Sequence, residues 1–88
     1  MRLDDAAKDP DVRQTVAWWG ERPARKPDAP DPREWARWHF WQIWGKAAGE
    51  YVAGFLAQGR LSDRALRAGE WLAKVVVDIE REEAAPCP

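Results

Sequence analysis

Residues 31–57, DPREWARWHFWQIWGKAAGEYVAGFLA, decide how this chain folds. Trp35, Trp38, Trp41 and Trp44 recur every three residues, and no proline interrupts the run after Pro32. Its start reads as a helix N-terminus. The Asp31 carboxylate can accept from orphan backbone N–H groups, Pro32 suits the first turn, and Glu34 completes a capping box. Apolar residues continue at helical spacing to about Gln58, where Gly59 ends the pattern. The spacing predicts one long helix over 32–58. At 1.5 Å per residue it would run ~40 Å, beyond the ~30 Å of a small domain. Such a helix either kinks at Gly45 or Gly49, or protrudes and is covered by another molecule.

A three-residue step on a helix slips back by ~60°, so the four indoles do not stack on one face. They sweep half the circumference. Phe40, Ile43, Ala47, Tyr51, Val52, Phe55 and Leu56 fall within or beside that sweep. His39, Gln42, Lys46 and Glu50 form a narrow polar stripe on the remaining side, and Trp35 falls among them. An ordinary surface helix needs an apolar arc of little over ~100°, and this one has roughly twice that. Either it is a central helix flanked on both sides, or it is the core helix of a dimer.

Two shorter helices flank it. Asp9 and Pro10 open the first, over about 10–19, with Val12, Val16 and Trp19 on one stripe and Gly20 as its stop. A connector over 20–31 follows, in which Pro23, Pro27 and Pro30 forbid helix and favour extended backbone. The third helix, about 62–82, opens at Ser62 with Leu61 and Leu66 as a hydrophobic staple. Ala68, Leu72, Val75 and Ile79 form its stripe. Glu80, Glu82 and Glu83 crowd its C-terminal end, where the helix dipole disfavours them, so fraying is expected after Ile79. Residues 84–88 read as a disordered tail. No segment alternates polar and apolar residues as a strand does. The fold class is therefore all-α: a small three-helix domain with a long Trp-rich central helix and a Pro-rich connector. At 88 residues there is room for one domain.

Charge and composition narrow the function. Fourteen Lys and Arg against 15 Asp and Glu give a net charge of -1, which exerts no global pull on nucleic acid or anionic lipid. The single cysteine, Cys87, cannot form an internal disulfide and fits a reducing cytoplasm. The N-terminal stretch lacks the apolar run of a signal peptide, and Gln42, Lys46 and Glu50 break the longest apolar region, so no membrane role is expected. His39 is the only histidine, and no carboxylate pair is isolated in apolar surroundings. No catalytic residue, metal site, cofactor or small-molecule substrate is implied.

What remains is aromatic surface. Seven tryptophans carry ~150–250 Å² each, and a chain of this length has a marginal core in which to hide them. Trp18 falls off the first helix's apolar stripe and Trp35 off the second's, so both are expected outside the core. Trp18, Trp35, Arg37, Trp38, His39 and Gln42 are the candidate partner-binding residues, because exposed tryptophans beside arginine make binding hot spots. Gly45, Gly49, Ala53 and Ala57 form an i, i+4 row of small side chains, suited to self-association or to close packing of another helix. The function that fits is a non-enzymatic protein-binding module, an inhibitor or adaptor of the kind phages encode, which occupies a surface on a larger protein or complex. Two alternatives are kept. Arg22, Arg25, Lys26, Arg33 and Arg37 with Trp35 and Trp38 could pair phosphates and stack bases of nucleic acid, and the small-residue row could build a homodimer.

Overall fold

A computed structural model describes residues 8–28 and 31–84. Its elements are four helices: α1 (Pro10–Trp19), α2 (Pro32–Trp44), α3 (Lys46–Ala57) and α4 (Asp63–Ala84). The chain is all-helical over the described residues, and the tail at 85–88 lies outside them.

The long helix expected over 32–58 is two helices, so the expected count of three becomes four among the described residues. Gly45 adopts φ 53° and ψ -123°, outside the helical region and open in practice only to glycine. Its N–H still closes the last turn of α2 on the Trp41 carbonyl at 2.9 Å, and its own carbonyl accepts from Ala48 N–H at 3.0 Å to start α3. The chain thus changes direction on one residue without leaving the hydrogen-bond pattern untended. Gly45→Val is expected to cost ~1–3 kcal/mol, since a β-branched side chain has no low-energy conformation there. A thermal melt should fall by roughly 4–8 °C for each kcal/mol; an unchanged melting temperature would show that the break does not need glycine.

The caps predicted at the helix starts are present. Asp9 Oδ1 accepts from Asp11 N–H and Asp31 Oδ1 from Arg33 N–H, each at 2.9 Å. Ser62 Oγ accepts from Ala65 N–H at 3.2 Å ahead of α4. At the end of α3 it is Gln58, not Gly59, that turns left-handed, while Gly59 N–H reaches back to the Gly54 carbonyl at 2.9 Å.

The core lies where α2 and α3 meet α1 and α4. Phe40 is its hub, with 0 % of its surface exposed. Its ring stacks on Trp71 of α4 at 5.8 Å and 8°, and meets Trp19 of α1 edge-on at 6.4 Å. Val16, Trp19, Ala68, Leu72 and Ile79 are buried in the same cluster, as their stripes predict, and Val12 and Val75 pack on its margin.

α3 and α4 make the closest pair, and the glycine that lets them approach is Gly69, which the sequence reading did not single out. A Cβ at Gly69 would come 2.2 Å from the Tyr51 ring, an overlap no real contact shows. The Tyr51 phenol beside it is pushed above its ordinary pKa by burial. The small-residue row expected to do this work is interrupted: Gly45 is out of the helix, Ala53 and Ala57 are exposed, and Gly49 faces the Trp41 ring edge of α2, 3.1 Å from where its Cβ would stand.

The last helix runs past Ile79, where fraying was expected. α4 continues to Ala84, because Arg33 in the first turn of α2 grips Glu83 through both carboxylate oxygens, Nη2 to Oε2 at 2.8 Å. A bidentate cation outweighs the unfavourable dipole at that end. Both side chains are about half exposed, so the effect is local rather than global.

The hydrogen bond to Arg33 holds the Glu83 carboxyl below its ordinary pKa. A group depressed on folding contributes stability above its unfolded pKa and loses it as pH falls through the folded one. Protection of the amides in the last turn of α4, taken against their intrinsic exchange rates at each pH, should therefore fall as the solution is acidified through and below the usual carboxylate range. Glu83→Gln should show that low protection already at neutral pH. Undiminished protection in both conditions would show that something else holds the turn.

Candidate functional site

α2 has two aromatic faces with different fates. On the inner side, Arg37 and Trp41 stand four residues apart and reach the C-terminal end of α1. Trp41 Nε1 donates to the Trp19 carbonyl at 3.0 Å, and Arg37 Nη1 donates to the Trp18 carbonyl at 3.2 Å and faces the Glu21 carboxylate at 3.4 Å. These donors satisfy carbonyls that a helix end leaves open, and the arginine charge suits the negative end of the α1 dipole. The Arg37 guanidinium also lies 4.2 Å from the Trp18 ring centroid. Trp18 is therefore half-buried beneath it, edge-on to Trp19 at 5.2 Å and packed on the core. The position expected outside the core is instead a strut between α1 and α2. Periodicity along α1 could not reveal this, because the covering group comes from another helix.

On the outer side, Trp35, Trp38, His39, Gln42 and Ile43 stand at i, i+3, i+4, i+7 and i+8, one continuous stripe. Trp35 and Trp38 meet edge-on at 6.2 Å. His39 lies between them, its ring 5.8 Å from Trp35 and 5.2 Å from Trp38. Among the described residues, the core cluster and the apolar side chains packed on it include Trp41, Trp44 and Trp71, but neither Trp35 nor Trp38. His39 and Gln42 are exposed, and Ile43 exposes 53 % of its surface. Ile43 was placed in the aromatic sweep by angle but not among the candidates.

The Pro-rich connector lies against this side. Pro23 and Pro27 are half-buried, and Lys26 Nζ sits 5.1 Å from the Trp35 ring centroid. Arg22 is 6.0 Å from the Trp41 ring. Of the cations that could have met phosphates, Arg22, Lys26 and Arg37 are laid on the protein's own indoles, Arg33 is held by Glu83, and Arg25 faces Asp28 at 3.6 Å.

The six candidates thus separate. Trp35, Trp38, His39 and Gln42 come together on one side of α2, where His39 and Gln42 are exposed but the two indoles are half-buried, so Trp35 is less open than its place in the polar stripe predicts; Trp18 and Arg37 are drawn inside to support it. Among the described residues no group of three His, Cys, Asp or Glu side chains is placed to hold a metal ion, and no helix is long and apolar enough to cross a membrane. No family model, curated protein or solved structure matches the chain.

Proposed function

We propose that this protein is a non-enzymatic binding module, an inhibitor or adaptor, that docks the outer face of α2 on another protein. One observation carries the reading: Trp35 and Trp38 pack on each other and on His39 rather than on the core, and their stripe runs on into Ile43. Clustered indoles of low side-chain entropy, with polar groups at hand, are what interface hot spots are made of. Trp35 and Trp38 supply the apolar contact. His39 and Gln42 supply hydrogen bonds at its edge, and Arg37 keeps α2 seated on α1. Cys87 fits action in a reducing cytoplasm.

Nucleic acid is the weaker reading, since Arg22, Arg25, Lys26, Arg33 and Arg37, the cations around the indoles, are engaged with indoles and carboxylates. For a homodimer, the small-residue row offers no continuous seam, since Gly45 is out of the helix and Gly49 faces Trp41. The test is affinity capture from a lysate of the cells that make the protein, with wild type beside Ile43→Asp. Ile43 is exposed enough for the change to leave circular dichroism intact. The expected result is a protein retained by wild type and lost by the variant. Equal retention by both would remove the outer stripe from the account.

A further inference from the structure

α1 packs on α3, and α1 and α4 scarcely touch. Between them runs an open trough of about 420 Å³. Tyr51 and Phe55 of α3 contribute to its floor, and Val12 of α1 and Val76 of α4 to its walls. Its α4 wall comes from Leu72, Val76 and Glu80, four residues apart, and its α1 wall from Asp11 through Thr15 to Trp19 at the same interval. Each wall is thus two helical turns long, ~12 Å. Val77 stands on its margin with 46 % of its surface exposed, an apolar side chain at the edge of an apolar seat.

The charged residues lining the trough are Asp11 on one wall and Glu80 on the other, both exposed carboxylates. Arg33, which lies close enough to sense Glu80, is held by Glu83. The trough is therefore apolar along its length and acidic on both rims.

From this shape and charge we infer that the α1–α4 trough seats an amphipathic helix of another protein, with basic residues flanking its apolar stripe. Two turns of wall match the i, i+3 or i+4, i+7 anchors by which a helix lies in a groove. Lysine or arginine beside those anchors would meet Asp11 and Glu80. This surface is separate from the outer face of α2, so the protein carries two docking faces, as a bridging adaptor requires.

The probe is a fluorescently labelled synthetic helix with leucine at those anchor positions and lysine on both flanks, compared with the same peptide carrying glutamate for lysine. Fluorescence anisotropy should show saturable binding of the lysine peptide and binding about tenfold or more weaker for the glutamate peptide. Asp11→Asn with Glu80→Gln should erase that preference. Val77→Lys should weaken the lysine peptide about tenfold or more with circular dichroism unchanged, whereas Ile43→Asp should leave it unaffected. That last control separates failure here from failure of the α2 face. Equal affinity for both peptides, no saturable binding, or indifference to Val77→Lys would each overturn the inference. So would a dimer in sedimentation that Val77→Lys returns to monomer, because the trough would then belong to a second copy of this chain.

Discussion

Phe40→Ala is expected to cost ~3–5 kcal/mol, most or all of the stability of a domain this small. Phe40 is wholly buried, and its ring meets Trp19 of α1, Trp41 of α2 and Trp71 of α4. Removing it loses the transfer free energy of the ring and leaves a void. The neighbours cannot fill that void by small shifts. The Trp41 indole is tied to the Trp19 carbonyl, and Trp19 is itself 2 % exposed and wedged against Trp18. In urea the midpoint should move sharply down, or the variant should be unfolded in buffer. Phe40→Leu, which keeps much of the volume, should lose less. If Phe40→Ala melts with wild type, the core is not organised around this ring.

The second large effect is on binding. Replacing Trp35 and Trp38 together by alanine should weaken the captured partner by about a hundredfold or more, since hot-spot truncations cost ~2 kcal/mol and upward each. The same double change should cost far less stability than Phe40→Ala, because neither indole packs on the core cluster. The ratio of the two losses is the informative quantity. A binding face predicts a large loss of affinity with a folded protein. Indoles that serve the fold alone predict a destabilised protein whose residual folded fraction binds as before.

Much of this fold was legible in the sequence, for local reasons. Asp9, Asp31 and Ser62 announce helix starts because a cap needs only its next two or three residues. The stripes of α1 and α4 were equally plain, since burial of Val16, Trp19, Leu72 and Ile79 follows from spacing. What escaped depended on contacts distant in sequence. The apolar pattern runs unbroken through Gly45, so periodicity allowed a bend at Gly45 or Gly49 without choosing between them. The structure places the break at Gly45, whose positive φ ends α2 and starts α3. The last turn of α4 looked unstable because its stabiliser, Arg33, is 50 residues away. Gly69 looked like an ordinary helix glycine until Tyr51 lay over it.

The candidate site divides along the same line. Trp35, His39 and Gln42 were legible as an outward stripe from helix angle alone, and Trp38 follows them by spacing. Trp18 was misplaced because its covering cation, Arg37, belongs to another helix. The trough between α1 and α4 had no local signal. Val12 reads as a core residue by its stripe, Val76 and Val77 lie off the stripe of α4, and only the spread of two helices over a third leaves all three lining open space.

The central claim is that the outer face of α2 carries aromatic surface that the core cluster does not take up and another protein covers. It is tested most directly by oxidative footprinting of the indoles, with the protein free and with its captured partner bound. The account predicts that Trp35 and Trp38 are oxidised readily in the free protein and protected in the complex, while Trp19 stays slow in both. Protection confined to other residues, or Trp35 and Trp38 as slow as Trp19 in the free protein, would contradict it.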